Sequence, residues 1–298
     1  MGVLIMIVAM TLAGSSIAVT KKLTGTMPVF LANELSLLIA WIALIPVGAH
    51  HLFKQKKQPD SSWMRASAYP ALQALFGMAL FRVFTFWGLR YVSAIEGGLM
   101  TAAAPGVMVI LAFFLLKESP DSRRIGAVVL AGAGVAVLNW KSGAFTGSLL
   151  GTALILSATA CESFLTIFRK MEKNHAPPMA NTFYIVSFSL LFLLPATLIE
   201  GEWHRLPHLT VEQLSGCIYL GLVPTVLGYF CWGYASCRID AGITGIITSM
   251  MPLSAALISI LWLGEIPTRR HLIGGICIVF SILVSVVPMR HRQAVGSS

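Results

Sequence analysis

The sequence predicts an all-α integral membrane protein whose ten transmembrane helices form two inverted five-helix repeats. Three observations predict this fold class: the composition, the lengths of the apolar stretches, and a repeat with an offset of 147 residues. Of the 298 residues, 56% are hydrophobic and 11% are charged, and the mean hydropathy is +0.80. Because soluble domains carry about 25% charged residues, this composition excludes a soluble globular protein.

Apolar stretches long enough to span a membrane recur along the whole chain. A helix needs about 20 apolar residues to cross ~30 Å of hydrocarbon. The first stretch is not preceded by a basic segment, so we expect it to remain as a span rather than to be removed as a signal peptide. The predicted spans cover residues 2–20, 28–50, 66–89, 94–116, 124–140, 149–168, 179–199, 211–235, 241–263 and 270–288.

The net charge of +9 is explained by membrane orientation rather than by a nucleic-acid partner. With a cytoplasmic N-terminus, thirteen of the 21 Lys and Arg residues fall in cytoplasmic segments and seven on the opposite side, while Arg82 lies within a span. Basic residues concentrate in the cytoplasmic loops of membrane proteins. We therefore expect a multi-pass protein of the inner (plasma) membrane, with a cytoplasmic N-terminus and a cytoplasmic tail at residues 289–298.

The chain shows no pattern typical of a cofactor, a metal site or an enzyme active site. Its five cysteines are odd in number and lack a paired CxxC spacing, which argues against a disulfide framework or a zinc site. No phosphate-binding loop and no GxSxG motif occurs in the sequence. We expect no cofactor and no bound metal.

The proline and polar residues of the fourth predicted span recur at equivalent positions in the ninth. Residues 94–126 align with 241–273 without a gap and with eight identities. The two units are residues 2–140 and 149–288, and each contains five spans. Since five is odd, the second unit must enter the membrane from the opposite side, as in alternating-access carriers. The identical pairs are Ala94 and Ala241, Gly98 and Gly245, Thr101 and Thr248, Pro105 and Pro252, Leu116 and Leu263, Glu118 and Glu265, Pro120 and Pro267, and Arg123 and Arg270.

Two kinds of residue within the repeat predict local structure. Pro105 and Pro252 each remove a backbone donor within a span, so we expect a helix break or hinge there. Glu118 and Glu265 stand at span ends, where a carboxylate favours a nearby helix N-terminus. We interpret these two glutamates as structural caps, with a transport role as the alternative.

The proline, the apolar run, the "KE" or "GE" pair and the following Gly-rich span together resemble a known family. The Gly-rich spans are "IGAVVLAGAGVAVL" at 125–138 and "LIGGICIVFSILVSVV" at 272–287. The chain resembles the ten-helix members of the drug/metabolite transporter superfamily, which are built from two EamA-type domains. The resemblance implies a secondary carrier, usually an exporter of amino acids, other metabolites or drugs. It also implies a cavity walled by spans one, three, four, six, eight and nine.

Three ionisable residues lie inside predicted spans, where each costs about 2.5–3.5 kcal/mol on insertion scales and is a functional candidate. Arg82 in the third span could hold a substrate carboxylate through its planar fork. Glu162 in the sixth span and Glu34 in the second are candidates for exchanging a coupling proton. The alternative for all three is structural, since Arg82 could form an ion pair with one of the glutamates or extend to the interface.

Further candidates for substrate contact are polar or aromatic residues on the spans assigned to the cavity. Tyr229 and Trp232, three residues apart, share a helical face and could stack on a planar ligand. For these residues ordinary packing is the alternative interpretation. The complete set besides Arg82 is Ser15, Ser16, Trp87, Thr101, Ser163, Tyr229, Trp232, Thr248 and Ser249.

The predicted function is that of a secondary transporter that exports small amphipathic or zwitterionic metabolites, amino acids above all. A nucleotide-sugar or other metabolite antiporter of the same superfamily is the first alternative. An intramembrane enzyme would need clustered acidic residues near one interface, and here they are scattered; an uncoupled channel is a further alternative. The expected partners are a small-molecule substrate, the lipid bilayer and protons, and a monomer suffices because one chain holds both units.

Overall fold

The computed structural model describes residues 1–55, 63–111, 113–114, 122–141, 144–145, 148–171, 177–236, 238–239, 247 and 250–286. Within these ranges, five helices are long and apolar enough to cross a membrane. They cover Gly2–Thr24, Val29–His51, Ala68–Tyr91, Pro178–Glu200 and Val211–Ala235. Three shorter apolar helices lie at Ile125–Asn139, Leu149–Leu165 and Met250–Leu263.

Helical segments occur at each of the ten predicted positions, and the fold is all-α. The first half comprises α1 Gly2–Thr24, α2 Val29–Gln55, α3 Trp63–Ala74, π1 Leu75–Leu80, α4 Phe81–Tyr91, α5 Ala94–Thr101, α6 Ala104–Leu111 and α7 Ser122–Asn139. The second half comprises α8 Leu149–Met171, α9 Pro178–Glu200, a 3-10 turn at Glu202–His208, α10 Val211–Leu220, π2 Gly221–Gly228, α11 Tyr229–Ser236, α12 Met250–Leu263 and α13 Arg269–Val286.

A short antiparallel ladder follows the fifth span. The strands β1 (Trp140–Lys141) and β2 (Ala144–Phe145) pair with Trp140 opposite Phe145. The predicted span ended at residue 140, whereas the helix ends at Asn139.

The third and eighth spans each contain a π-helical segment in the middle. The offset of 147 places residues 75–80 of π1 on residues 222–227, inside π2. Such segments are rare, weaken the regular hydrogen-bond ladder and are frequent at functional sites. The two halves therefore share an irregular feature that their apolar sequences do not reveal.

The fourth span is interrupted just before its proline. Ala102 and Ala103 form a turn between α5 and α6, and Pro105 is the second residue of α6. A proline is tolerated there because the first-turn N–H groups of a helix have no intrahelical partner. In the ninth span the corresponding Pro252 is buried as the third residue of α12.

Corresponding spans of the two halves lie side by side and run in opposite directions. The end of α9 meets the start of α2, where the Glu200 carboxylate accepts hydrogen bonds from the backbone N–H groups of Phe30 (3.3 Å) and Leu31 (2.9 Å). The start of α13 meets the end of α7, where Arg270 donates to the Leu138 carbonyl at 3.1 Å. Both pairs of helices pack along their length.

The fourth and ninth spans show the same relation. The carboxylate of Glu265, just after α12, accepts hydrogen bonds from the backbone N–H groups of Ala94 (2.8 Å) and Ile95 (2.9 Å) at the start of α5. All of these contacts lie at one end of the bundle. We call this end the Glu265 face; it contains Lys21, Leu138, Glu200 and Glu265.

The first span packs tightly against the ninth through a glycine. A Cβ added at Gly14 would lie 2.8 Å from the backbone N of Ala255 and even closer to the Met251 carbonyl and the Ser254 hydroxyl. Small residues allow helices to approach closely within a membrane. The contact between α1 and α12 therefore depends on the missing side chain.

The change Gly14→Val should destabilise the protein by about 1–3 kcal/mol, because overpacking forces the two helices apart. Gly126→Val is the matched control, since a Cβ at Gly126 meets nothing within 4 Å. Thermal denaturation in detergent, followed by size-exclusion chromatography, compares the two variants. Equal melting temperatures would contradict the close packing of α1 on α12.

Candidate functional site

Arg82, in the first turn of α4, binds two other spans. Its guanidinium donates to the Ser36 hydroxyl of α2 at 2.7 Å, to the Thr225 hydroxyl of π2, and to the Leu220 carbonyl at 3.4 Å. Ser36 is fully buried and Thr225 is 2% exposed. Arg82 therefore links the third span to the second and the eighth.

The eighth span offers Arg82 an acceptor because of Pro224. A proline lacks the N–H that would bind the carbonyl four residues upstream, which is that of Leu220. Within π2, both the Thr225 hydroxyl (2.6 Å) and Arg82 donate to this carbonyl. The guanidinium thus gives the Leu220 carbonyl a second side-chain donor beside the Thr225 hydroxyl.

Arg82 has no carboxylate partner among the described residues. Neither Glu34 nor Glu162, both of which the structure describes, forms an ion pair with it. The proposed Arg–Glu neutralisation is therefore not formed in this conformation. A guanidinium has five N–H donors and binds carboxylates in bidentate fashion, so Arg82 retains the chemistry needed to bind an anionic group.

Tyr229 lies within electrostatic range of both Arg82 and Glu162. The three residues come from the third, sixth and eighth spans, which the sequence resemblance assigns to the cavity. The offset of 147 places position 82 on position 229. Equivalent positions of the two halves therefore lie within electrostatic range of each other, and the carboxyl group of Glu162 lies within the same range of Tyr229.

The two predicted proton-exchanging residues lie in different surroundings. Glu162 is partly buried on α8 and makes no hydrogen bond to the described residues. Glu34 is 8% exposed, and its Oε2 is buried without a hydrogen-bond partner. Glu162 lies within electrostatic range of Tyr229, whereas no such interaction joins Glu34 to the described residues Arg82 and Tyr229.

The predicted serines of the first and sixth spans bind helix backbone. Ser15 donates to the Leu12 carbonyl at 2.7 Å and also shares a 2.7 Å hydrogen bond with the Tyr219 hydroxyl. Ser16 donates only to the Ala13 carbonyl, at 2.6 Å. On α8, Ser163 donates to the Thr159 carbonyl at 2.9 Å and approaches the Ala104 carbonyl at 3.5 Å, beside the break in the fourth span.

The predicted aromatic residues pack within apolar clusters. Trp87 contacts Phe30 edge-to-face, with 5.7 Å between ring centroids, and Tyr229 packs against the same cluster. Trp232 packs in a separate cluster with α1. The two side chains of the predicted aromatic pair, Tyr229 and Trp232, therefore pack against different apolar clusters.

Of the remaining predicted site residues, Thr101 lies at the end of α5. The Thr101 hydroxyl is buried and donates to the Gly98 carbonyl at 2.7 Å, which stabilises the end of α5. Thr248, Ser249 and Glu118 lie outside the described residues.

Glu265 caps a helix that differs from the one its sequence position suggests. It precedes α13, yet it accepts hydrogen bonds at the N-terminus of α5. Nearby, Lys21 donates to the carbonyls of Leu89 (2.5 Å) and Val92 (2.7 Å) at the end of the third span. On the Glu265 face, the negative charge of Glu265 thus lies at a helix N-terminus and the positive charge of Lys21 lies at a helix C-terminus, as the helix dipole favours.

A second polar cluster on this face joins the fourth and tenth spans. Ser93 and Glu96 form a capping box at the start of α5. The Glu96 carboxylate also lies 3.2 Å from Arg270 and 3.6 Å from the ring of His271. Together with Glu265, this cluster holds the starts of α5 and α13 and the end of α12 together.

Sequence reasoning missed the residues that position Arg82. Ser36 and Thr225 carry small hydroxyl groups that do not stand out in apolar spans. Pro224 was the available signal, because a proline inside a span exposes a carbonyl that some donor must satisfy.

Comparison with known proteins identifies a family over nearly the whole chain. The model of the EamA-like transporter family matches residues 1–140 and 149–287. A solved crystal structure superimposes with a TM-score of 0.61 over 95% of both chains, at 20% sequence identity. That similarity concerns the fold alone.

Several named relatives are transporters. An uncharacterised transporter of Bacillus subtilis (strain 168), YetK, is 31% identical over 290 residues, covering 96% of this chain and 87% of the relative. The "Probable terminal-alkyne amino-acid exporter" of Streptantibioticus cattleyicolor is 27% identical, covering 76% of this chain and 73% of the relative. The "Probable amino-acid metabolite efflux pump" of Salmonella typhimurium (strain LT2) is also 27% identical, covering 67% of this chain and 72% of the relative.

Replacing Glu265 with Ala should lower the stability of the protein by about 1–2 kcal/mol, because two backbone N–H groups of α5 lose their acceptor. Glu202→Ala is the matched control, since Glu202 forms only exposed pairs with Arg205 and His204 and should change stability by less than about 0.5 kcal/mol. Both variants are compared by thermal denaturation in detergent. A Glu265→Ala protein as stable as the control would show that the cap contributes nothing.

Proposed function

The chain belongs to the EamA-like transporter family and is a membrane transporter rather than an enzyme, and on this premise we propose that it is a secondary carrier that exports amino acids or related zwitterionic metabolites. The observation that carries this proposal is that Arg82 and Glu162 both lie within electrostatic range of Tyr229. A zwitterion presents a carboxylate to the first and an ammonium group to the second. Two relatives whose printed names refer to amino-acid export support the same substrate class.

Substrate binding at Arg82 provides a link to helix movement. A charged carboxylate is a stronger acceptor than a neutral carbonyl or hydroxyl group, so it competes with Leu220 and Thr225 for the guanidinium. When Arg82 turns to the substrate, the carbonyl exposed by Pro224 loses one of its two donors. The π2 segment is then less firmly held, and the eighth span can rearrange.

Alternating access is the transport mode that we propose. Three pairs of corresponding spans lie antiparallel: α2 with α9, α5 with α12, and α7 with α13. This relation is the one expected of inverted repeats with a substrate site at their interface. The polar contacts of the Glu265 face close that end, and exposing the central site there requires them to separate.

The proposed location is the inner (plasma) membrane, with the Glu265 face outside and both termini in the cytoplasm. The excess of Lys and Arg in the segments between the other helix ends supports this orientation. The protein functions as a monomer in this proposal, because one chain supplies both halves of the site.

A nucleotide sugar fits the site less well. Its phosphates would need several cationic partners, and Arg82 is the one Lys or Arg that the sequence places inside a predicted span, away from the span ends. A single cation suits a single carboxylate. Antiport of nucleotide sugars therefore remains the second candidate function.

Expression of the chain in a bacterial host that lacks its own amino-acid exporters should raise the tolerated concentration of a toxic analogue, such as p-fluorophenylalanine, at least fourfold. Arg82→Ala should abolish this protection, and Arg82→Lys should reduce it strongly, because an ammonium group lacks the bidentate fork. The control is Arg90→Ala, an exposed position on the same helix. Full protection by Arg82→Ala, at equal membrane expression, would remove this arginine from the site.

In proteoliposomes, Glu162→Gln should leave substrate counterflow intact but make net flux independent of an imposed pH gradient, because an amide cannot exchange a proton. Glu202→Gln, at a partly exposed position on the Glu265 face, serves as the control and should retain the pH response of the unmodified protein. A Glu162→Gln carrier that is still driven by the pH gradient would transfer the coupling role to another group.

A further inference from the structure

A cleft of about 430 Å³ opens near the Glu265 face between α10 and α12, with α1 as its back wall. It lies outside the Arg82–Tyr229–Glu162 site. No described residue fills it. Its lining consists of Ser15, Val19, Lys22, Leu23 and Thr26 of α1 and the following turn, Glu212, Ser215, Gly216 and Tyr219 of α10, and Ile258 and Trp262 of α12.

The mouth of the cleft carries one cation and one anion. Lys22 Nζ lies 2.6 Å from Glu212 Oε1 and 4.9 Å from the centroid of the Trp262 ring. The Lys22 and Glu212 side chains are 44% and 61% exposed. Both charges are therefore accessible to a ligand that enters beside them.

The interior of the cleft is apolar and ends on a pair of hydroxyl groups. Val19, Leu23 and Ile258 form its walls, and the hydrogen bond between Ser15 and Tyr219 forms its floor. Lys22 follows Ser15 by seven positions on α1, which corresponds to a depth of about 10 Å at 1.5 Å per residue. This depth accommodates part of an acyl chain.

The helices on either side of the cleft present exposed apolar side chains next to its lining residues. On α10, Val211 is 86% exposed and Leu214 is 42% exposed, and each directly precedes a lining residue. On α12, Leu257 (56%) and Leu261 (75%) likewise precede lining residues. In a membrane-spanning bundle such faces meet acyl chains, so the cleft opens sideways at the edge of the lipid-facing surface.

We propose that this cleft binds one zwitterionic phospholipid, with an acyl chain between α10 and α12, its phosphate on Lys22 and its ammonium group on Glu212. The paired charges match a headgroup that carries both signs, whereas a net anionic headgroup meets the carboxylate of Glu212 without an ammonium group to neutralise it. The lipid occupies the gap between the eighth and ninth spans. The proposal is independent of which substrate the carrier moves.

The test reconstitutes the full chain in vesicles of equal parts phosphatidylethanolamine and phosphatidylglycerol and measures retained lipid by native mass spectrometry after mild detergent extraction. We expect one retained phosphatidylethanolamine per chain, favoured at least fivefold over phosphatidylglycerol. Lys22→Ala should reduce its retention at least fivefold. Arg205→Ala, an exposed cation on the same face, should leave retention unchanged.

A second pair of variants tests the volume of the cleft rather than its charge. Ser215→Trp fills the cleft and should expel the lipid, whereas Leu214→Trp places the same side chain on the neighbouring lipid-facing position and should not. If Ser215→Trp does not give a monodisperse protein, the comparison of Lys22→Ala with Arg205→Ala decides the matter. Equal retention of both lipids, no retained lipid, or the same retention in Lys22→Ala as in Arg205→Ala would overturn the proposal.

Discussion

The fold is organised around a guanidinium group that has no anionic partner among the described residues. Charged groups inside a bilayer are costly, so their hydrogen bonds must be satisfied by neighbouring spans. Arg82 meets this requirement with a hydroxyl from α2 and with a hydroxyl and a carbonyl from the eighth span. The same bonds stabilise the proline-broken part of that span, so the arginine and π2 depend on each other.

The mutual dependence of Arg82 and π2 provides a route from ligand binding to helix movement in the proposed carrier. A π segment lacks the regular hydrogen bonds of an α-helix, so its backbone can rearrange more easily. Here Arg82 and Thr225 limit that rearrangement. Any ligand that competes for the guanidinium also changes the support of π2. In the proposed carrier, the group that attracts an anionic substrate is therefore the same group that supports π2.

The sequence was sufficient to predict the positions of the spans, because apolar length alone determines them. The turn at Ala102 and Ala103 lies next to Pro105, whose missing N–H is a local property of the sequence. The sequence could not predict the partner of Glu265, which lies 171 residues away at Ala94, nor the three partners of Arg82, the farthest of which lies 143 residues along the chain. Such contacts depend on which helix ends meet, and periodicity within one helix carries no information about that.

Repulsion between like charges also explains why the two halves carry different residues at positions 82 and 229. The offset that relates the halves places position 82 on position 229, and the structure brings these positions within electrostatic range. Arginine at both would set two cations against each other in a medium of low dielectric constant, where like charges repel strongly. Tyrosine removes one charge and keeps a hydroxyl group that can hydrogen-bond. In the proposed carrier, this difference between the two halves leaves one cation without a like-charged neighbour, free to bind the negative charge of a substrate.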